Sequence, residues 1–253
     1  MEESHPKKSL GQHWLHDQLV LEDIAGCAEI EPTDVVLEIG PGLGTLTAVL
    51  AEQAKQVIAV EFDGLLASTL SVRVPAPNVT VVQHDILTYD FSKLPKHYKV
   101  VANIPYYLTS NLLRVLSETS NPPEVAVLLI QKEVAERVAS DPGDMSILSV
   151  TAQYFWHVSL GNIVPAALFT PPPKVDSQIL IMHHRPEPLF ENVDTKQFFR
   201  VVKAGFSQKR KTILNSLSGG LSMSKEQIRA ICEKAEVDSG RRAQSLTMQE
   251  WYA

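Results

Sequence analysis

One ten-residue stretch, VLEIGPGLGT at residues 36–45, limits the possible folds more than any other part of this chain. Its first half is typical of a buried strand, and alternating glycines at Gly40, Gly42 and Gly44 lead into an apolar helical pattern. Glycines at a strand-to-helix turn allow a tight reversal and let a ligand lie against bare backbone. The stretch predicts the first β–α unit of an open α/β sheet, and it indicates either a ligand site or a simple turn.

Polar side chains follow the next three apolar runs near the point where each run ends. These side chains are Glu61, Asp85 and Asn103. Open α/β sheets bind ligands at the carboxyl ends of their strands, where a carboxylate on the second strand hydrogen-bonds ribose hydroxyls. Taken singly, Glu61 is equally typical of a surface carboxylate, Asp85 of a helix cap and Asn103 of a rigid turn. Their occurrence at successive strand ends favours a nucleotide-like ligand.

Strand and helix patterns alternate through most of the chain and then give way to helices alone. Strand patterns lie near 35–39, 57–60, 79–82, 98–102 and 125–130, with helical patterns near 45–54, 64–71, 109–118 and 131–139. This alternation predicts a Rossmann-like α/β fold with a doubly wound parallel sheet, to which 157–163 and 177–183 add strands. We predict a catalytic domain over residues 1–186 and a small all-helical domain over 187–253. Gly219 and Gly220 are expected to end the second helix of that domain.

Composition and charge limit the class of protein. Two cysteines make neither a disulfide framework nor a metal site, and no apolar run approaches the length of about 18 residues that spans a bilayer. We therefore expect a cytoplasmic protein with no metal and no membrane partner. The net charge is −6, but residues 1–185 carry −9 and residues 186–253 carry +3. The basic cluster Lys209, Arg210 and Lys211 is either a solvated helix face or a contact for phosphates.

The residue types at Asn103, Pro105 and Tyr106 suit a planar ligand with an exocyclic amine. Asparagine offers a carboxamide acceptor, proline leaves neighbouring carbonyls without a competing N–H, and tyrosine offers a flat face. Two acceptors on an aromatic amine favour a pyramidal nitrogen, whose lone pair can attack a methyl sulfonium. The cofactor would then be S-adenosylmethionine. Phe169 is either a second stacking face for an unpaired base or a core anchor beneath a proline-rich loop.

Six segments occur in the order that is found in one enzyme family. They are residues 8–15, 38–47, 103–106, 131–137, 171–177 and 206–212. Together they resemble the ribosomal RNA small-subunit adenine N6,N6-dimethyltransferases of the KsgA type. The resemblance extends from about Lys8 to the C-terminal helices.

The resemblance implies a class I methyltransferase that acts in 30S subunit maturation. S-adenosylmethionine would supply methyl groups to N6 of two adjacent adenosines in the 3′-terminal hairpin of small-subunit rRNA, within a pre-30S particle. We expect a monomer. The implied cofactor contacts are His13, Leu15, Gly40, Gly42, Glu61, Asp85 and Asn103. The implied residues at the target base are Asn103, Tyr106 and Phe169, and the implied RNA contacts are Lys209, Arg210 and Lys211.

Departures from the family pattern leave alternative functions to be tested. His13 and Trp14 stand where Asn and Phe are common, and Tyr107 stands where a polar residue is frequent. The nearest alternative is the macrolide-resistance type, which modifies one adenosine of large-subunit rRNA. A non-catalytic ribosome-assembly factor is another. A dehydrogenase is disfavoured, because the glycine spacing differs from G-x-G-x-x-G.

Overall fold

The computed structural model describes residues 10–187, 189–191 and 193–253, so Lys8 and Ser9 of the first motif lie outside it. The chain divides into two compact units. One comprises the described residues up to Ala135 together with His157–His184, and the other comprises Glu136–Trp156 with Arg185–Ala253. Residues 136–156 thus group with the C-terminal helices, whereas the sequence analysis places one boundary after residue 186. The roles assigned to the two parts remain predictions.

The first unit is built on a seven-stranded mixed sheet. Its strands are β2 (Val35–Ile39), β3 (Gln56–Glu61), β4 (Val79–Gln83), β5 (Lys99–Asn103), β6 (Val125–Gln131), β7 (Trp156–Val164) and β9 (Ser177–His184). They lie in the order β4-β3-β2-β5-β6-β9-β7. Neighbours from β4 to β6 are parallel, as predicted.

A wholly parallel sheet, as the sequence pattern predicts, is wrong at β9. This strand pairs antiparallel with β6, and Ser177 at its start lies opposite Gln131 at the end of β6. The loop before β9 is tied to the same place, since the Lys132 N–H donates to the Asp176 carbonyl at 3.0 Å. The chain therefore enters β9 from the carboxyl edge of β6 and must run the opposite way.

Helices α2 (Thr45–Gln53), α3 (Gly64–Arg73) and α4 (Thr109–Glu118) connect parallel strands where the sequence pattern predicts them. Helix α1 (Gln18–Gly26) precedes β2, and α5 (Lys132–Val138) follows β6. Strand β2 pairs with β3 on one side and β5 on the other, so the winding direction of the sheet reverses at β2. Ligands of open α/β sheets bind in the crevice at such a reversal, outside the carboxyl ends of the strands.

A two-stranded sheet holds the N-terminal segment beside the glycine turn. Strand β1 (Trp14–Leu15) pairs antiparallel with β8 (Phe169–Thr170). The Thr45 hydroxyl at the start of α2 donates to the Leu15 carbonyl at 2.9 Å. Leu15 and Phe169 are buried in the same core as Ile24 of α1. The β1 segment is therefore anchored from both the loop and the glycine turn.

The second unit contains α6 (Ile147–Phe155), α7 (Thr195–Phe206), α8 (Ile213–Leu221), α9 (Lys225–Lys234) and α10 (Met248–Tyr252). Tyr154, Phe198 and Trp251 contribute to its core. Ser224 and Gln227 form a capping box at the start of α9. No helix among the described residues is both apolar enough and long enough to cross a membrane.

The prediction that Gly219 and Gly220 end α8 is wrong, because this helix continues to Leu221 and is capped by Ser222 at φ 57°. The reason lies in helix packing. A β-carbon at Gly220 would lie 2.6 Å from the Ala204 Cβ on α7. Gly220 therefore permits the close approach of α7 and α8 rather than a helix stop.

Candidate active site

A cavity of about 310 Å³ opens at the carboxyl ends of the parallel strands in the first unit. Every residue that the sequence analysis places at the cofactor or the target base lies on its wall. These residues are His13, Leu15, Gly40, Gly42, Glu61, Asp85, Asn103, Tyr106 and Phe169. Residues from six separate stretches of the chain thus meet at the reversal point of the sheet. The cavity has the size that small-molecule sites commonly have.

The glycine turn forms one wall of this cavity. The backbone is left-handed at Gly42, with φ 58°, and at Gly44, with φ 88°. A β-carbon at Gly44 would lie 2.7 Å from Leu70 Cδ1, so packing of α3 as well as backbone conformation requires glycine there. Gly44 is also the N-cap of α2. The turn therefore places the N-terminus of α2 beside the cavity, a position that favours anionic and polar groups.

Glu61 joins the tip of β3 to the glycine turn. Its carboxylate accepts the Gly42 N–H at 3.1 Å through Oε2 and the Asp63 N–H at 2.8 Å through Oε1. Glu61 is only 6% exposed, so its interpretation as a surface carboxylate is wrong. Burial raises the pKa of Glu61, and the backbone N–H donors oppose that rise. Each carboxylate oxygen has a second acceptor position. The residue can therefore accept a pair of ligand hydroxyls while it holds the turn.

Glu38 is a site residue that the sequence analysis did not single out. It lies in β2 between Ala59 and Val101, lines the cavity and is 1% exposed. Its Oε2 atom has no hydrogen-bond partner among the described residues. Burial, together with the nearby Glu61 charge, raises the pKa of Glu38 to about 8. The sequence does carry a signal for this residue, because Glu38 is the one acidic residue in the otherwise apolar strand β2.

Asp85 both caps a turn and borders the cavity. Its carboxylate accepts the Leu87 N–H at 2.9 Å, at the start of the 3₁₀ turn Ile86–Thr88. The Asp85 carbonyl is bonded to the ring of His84 at 2.8 Å. The helix-cap interpretation of this residue is therefore right, and its place on the cavity wall is compatible with a ligand contact as well.

Asn103, at the tip of β5, is tied to the N-terminal segment. Its Nδ2 donates to the His13 carbonyl at 3.4 Å, and the His13 Nδ1 donates to the Pro171 carbonyl at 2.7 Å. No hydrogen bond occupies the Asn103 Oδ1 within the part of the chain that the structure describes. The Leu108 N–H donates a hydrogen bond to the Pro105 carbonyl at 2.9 Å, which closes the turn. The Asn103 amide oxygen and the neighbouring Ile104 carbonyl thus remain as two adjacent acceptors.

Tyr106 is held by a hydroxyl contact that the sequence does not reveal. Its hydroxyl lies 2.9 Å from that of Ser177, a fully buried residue at the start of β9. Burial raises the pKa of Tyr106, while the Ser177 hydrogen bond lowers it. The His13 ring stacks on the Tyr106 ring, with the ring centroids 5.9 Å apart and the ring planes at 26°.

Phe169 is 3% exposed and packs in the core while bordering the cavity.

The basic cluster lies in the second unit, in the turn between α7 and α8. Lys209, Arg210 and Lys211 are all exposed there. The Lys211 N–H donates to the Gln208 carbonyl at 2.9 Å, which makes the turn compact. Exposure leaves both interpretations of the cluster open, the solvated face and the phosphate contact.

Comparison with known proteins identifies the relatives of this chain. The model of the family described as ribosomal RNA adenine dimethylase matches residues 3–253. A ribosomal RNA small subunit methyltransferase A from Dehalococcoides mccartyi is 41% identical over 97% of this chain and 86% of that protein.

Two solved structures are also similar. The 23S rRNA methyltransferase ErmE is 32% identical, with a TM-score of 0.77 over 94% of this chain and 96% of that one. A dimethyladenosine transferase from Plasmodium falciparum is 28% identical, with a TM-score of 0.80 over 95% of both chains. These similarities confirm the predicted class I methyltransferase fold and the predicted enzyme class, an rRNA adenine dimethyltransferase. The chain belongs to the ribosomal RNA adenine dimethylase family.

Proposed function

We propose that this protein dimethylates N6 of two adjacent adenosines in the 3′-terminal hairpin of small-subunit rRNA. It acts as a cytoplasmic monomer on a pre-30S particle and contributes to 30S maturation. The observation that carries this proposal is the meeting of Glu61 with Asn103 and Tyr106 in one cavity. A ribose-binding carboxylate and an amine-binding acceptor pair must face the same space for methyl transfer between two nucleosides.

The cavity residues fit S-adenosylmethionine as the methyl donor. Glu61 retains acceptor positions for the two ribose hydroxyls, and Asp85 lies beside the space that an adenine would occupy. Apart from its chain neighbours, no atom of the described residues lies within 4 Å of the position that a β-carbon at Gly40 would take, which leaves room for a ligand against the backbone of the turn. Gly42, His13 and Leu15 also lie on the cavity wall. When bound, the donor supplies a methyl group on a sulfonium sulfur, which leaves as a neutral thioether.

The residues at the tip of β5 orient the target amine. In the first transfer, the Asn103 Oδ1 and the Ile104 carbonyl accept hydrogen bonds from the two N–H groups of the amine, which draws the nitrogen toward a pyramidal geometry and frees its lone pair. The nitrogen bonds to the methyl carbon as the carbon–sulfur bond breaks, and the cationic amine that forms loses one proton to solvent. The second transfer replaces the remaining N–H in the same way. Tyr106 offers a flat apolar surface to the adenine ring. The hydrogen bond between the Tyr106 and Ser177 hydroxyls fixes the plane of the tyrosine ring. Phe169 lies near enough to close the same space.

The basic turn in the second unit is proposed to contact rRNA phosphates. Lys209, Arg210 and Lys211 are exposed and carry three positive charges in a region whose net charge is +3. Phosphate contacts supply most of the affinity of proteins for nucleic acids and need no base recognition.

The decisive experiment measures tritiated methyl transfer from S-adenosylmethionine onto 30S particles that lack this modification, followed by mapping of the methylated adenosines. We expect two dimethylated adenosines in the 3′-terminal hairpin. The similarity to ErmE makes a large-subunit rRNA target the second candidate. Methylation of 50S particles alone would overturn the proposed substrate.

A further inference from the structure

Tyr107 is a large aromatic side chain that the proposed reaction does not use. It lines the mouth of the cavity, follows Tyr106 directly and is 63% exposed. Phe62 is the other aromatic residue on the cavity wall that is mostly exposed among the described residues, at 61%. Phe62 follows Glu61 at the tip of β3, whereas Tyr107 follows β5, and these strands flank β2 on opposite sides. Tyr107 therefore stands at the end of the cavity where the target base would enter.

The Tyr107 ring lies beside the N-terminal segment. A β-carbon built at Gly11 would lie 3.5 Å from Tyr107 Cδ1 and 3.6 Å from Cε1, so one edge of the ring borders the space beside residue 11. Gly11 has φ 57°, a conformation that favours glycine. The remaining ring surface faces solvent. A tyrosine that is already positioned loses little conformational freedom when a flat ligand stacks on it.

We propose that Tyr107 is a stacking platform for the nucleobase next to the adenosine being methylated. This inference rests on the proposed function, in which the target adenine lies against Tyr106. The Cα atoms of Tyr106 and Tyr107 are about 3.8 Å apart, and the neighbouring nucleotide is covalently linked to the target nucleotide. Its base must therefore leave the cavity at the mouth, where Tyr107 presents an exposed ring. Unpaired RNA bases are commonly bound by stacking on aromatic side chains, with little dependence on base identity.

The experiment measures steady-state methylation of 30S particles that lack the modification, and it compares wild type with three Tyr107 variants and one control variant. Tyr107→Ala should raise KM for the particle about tenfold and leave kcat and the affinity for S-adenosylmethionine unchanged, since the ring touches neither reacting atom. Tyr107→Phe keeps the flat ring and should behave as wild type. Tyr107→Leu keeps apolar bulk without a flat ring and should resemble Tyr107→Ala. Leu19→Ala is the matched control, because it removes another exposed apolar side chain that does not line the cavity.

An unchanged KM for the particle in Tyr107→Ala would overturn this inference. An equal rise in KM in Tyr107→Phe would also overturn it, because the effect would then belong to the hydroxyl and not to the ring. Thermal unfolding of each variant identifies any that fails to fold, and Tyr107→Leu then decides the question. A wild-type protein that fails to methylate the particle would instead overturn the proposed function itself. The two failures are therefore distinguishable.

Discussion

The hydroxyls of Tyr106 and Ser177 lie 2.9 Å apart, although the two residues are separated by 71 positions in the sequence. Ser177 opens β9 and is completely buried, so it holds the Tyr106 ring from inside the sheet. In the proposed function the target base stacks on Tyr106, and we expect this hydrogen bond to help place the base by holding the tyrosine ring in one orientation.

A double-mutant cycle tests that role. Tyr106→Phe and Ser177→Ala should each lower kcat/KM about fivefold, because a hydrogen bond of this kind contributes about 1 kcal/mol. The double variant should lose no more than either single variant, since both remove the same interaction. Ser68→Ala removes an exposed α3 hydroxyl and serves as the control. Additive losses in the double variant would show that the two residues act independently.

The Asn103→Ala variant tests the catalytic assignment. It removes the proposed acceptor of the target amine, and methyl transfer should fall by a factor on the order of 10² or more. Binding to immature subunits should persist, because the change lies inside the cavity. Asn111→Ala, an exposed position on α4, is the control. Methyl transfer at the wild-type rate in Asn103→Ala would remove the assignment and favour the non-catalytic assembly factor.

The buried Glu38 should make stability depend on pH in a predictable direction. Its pKa is raised to about 8 in the folded protein, above the ordinary 4.5, so the folded state binds the proton more tightly. The stabilisation is complete below about pH 4.5 and is lost as pH rises through about 8. Each unit of pKa difference corresponds to about 1.4 kcal/mol.

Chemical denaturation at several pH values measures this effect. Between pH 5 and 8 the free energy of unfolding of wild type should fall relative to that of Glu38→Gln, which keeps the shape without the titrating group. Glu52→Gln, at an exposed α2 position, should retain the wild-type profile. Parallel profiles for wild type and Glu38→Gln would contradict the prediction.

Neutralising the basic turn should change the salt dependence of RNA binding. If Lys209, Arg210 and Lys211 each contact a phosphate, replacing all three with glutamine should weaken the salt dependence of binding. The slope of the logarithm of the binding constant against the logarithm of the salt concentration should fall in magnitude by about 0.9 per lost duplex contact. The matched control neutralises Lys225, Arg229 and Lys234, three exposed cations on α9. An unchanged slope in the first variant, or equal changes in both, would assign the cluster to a solvated face.

Periodicity and glycine spacing were sufficient to predict the strands of the larger sheet, the switch from sheet to helices and the polar side chains at successive strand ends. The places of His13 and Leu15 came instead from the resemblance to the family, and the short strands β1 and β8 were not predicted. The features predicted from periodicity and spacing depend on neighbours in the sequence. Apolar alternation marks a buried strand, and the carboxyl ends of parallel strands must meet at one edge. Glu61 and Asn103 could therefore be placed together before any distance was known.

Other features depend on which residues meet across the fold, and only the tertiary structure decided them. The antiparallel course of β9 brings Ser177 to Tyr106, and the approach of Ala204 keeps Gly220 within α8. The residue before β1, His13, stacks on Tyr106. The physical reason is the same in each case. Local patterns report the environment that a residue requires, whereas the partner that supplies this environment comes from a distant part of the chain and is selected by packing.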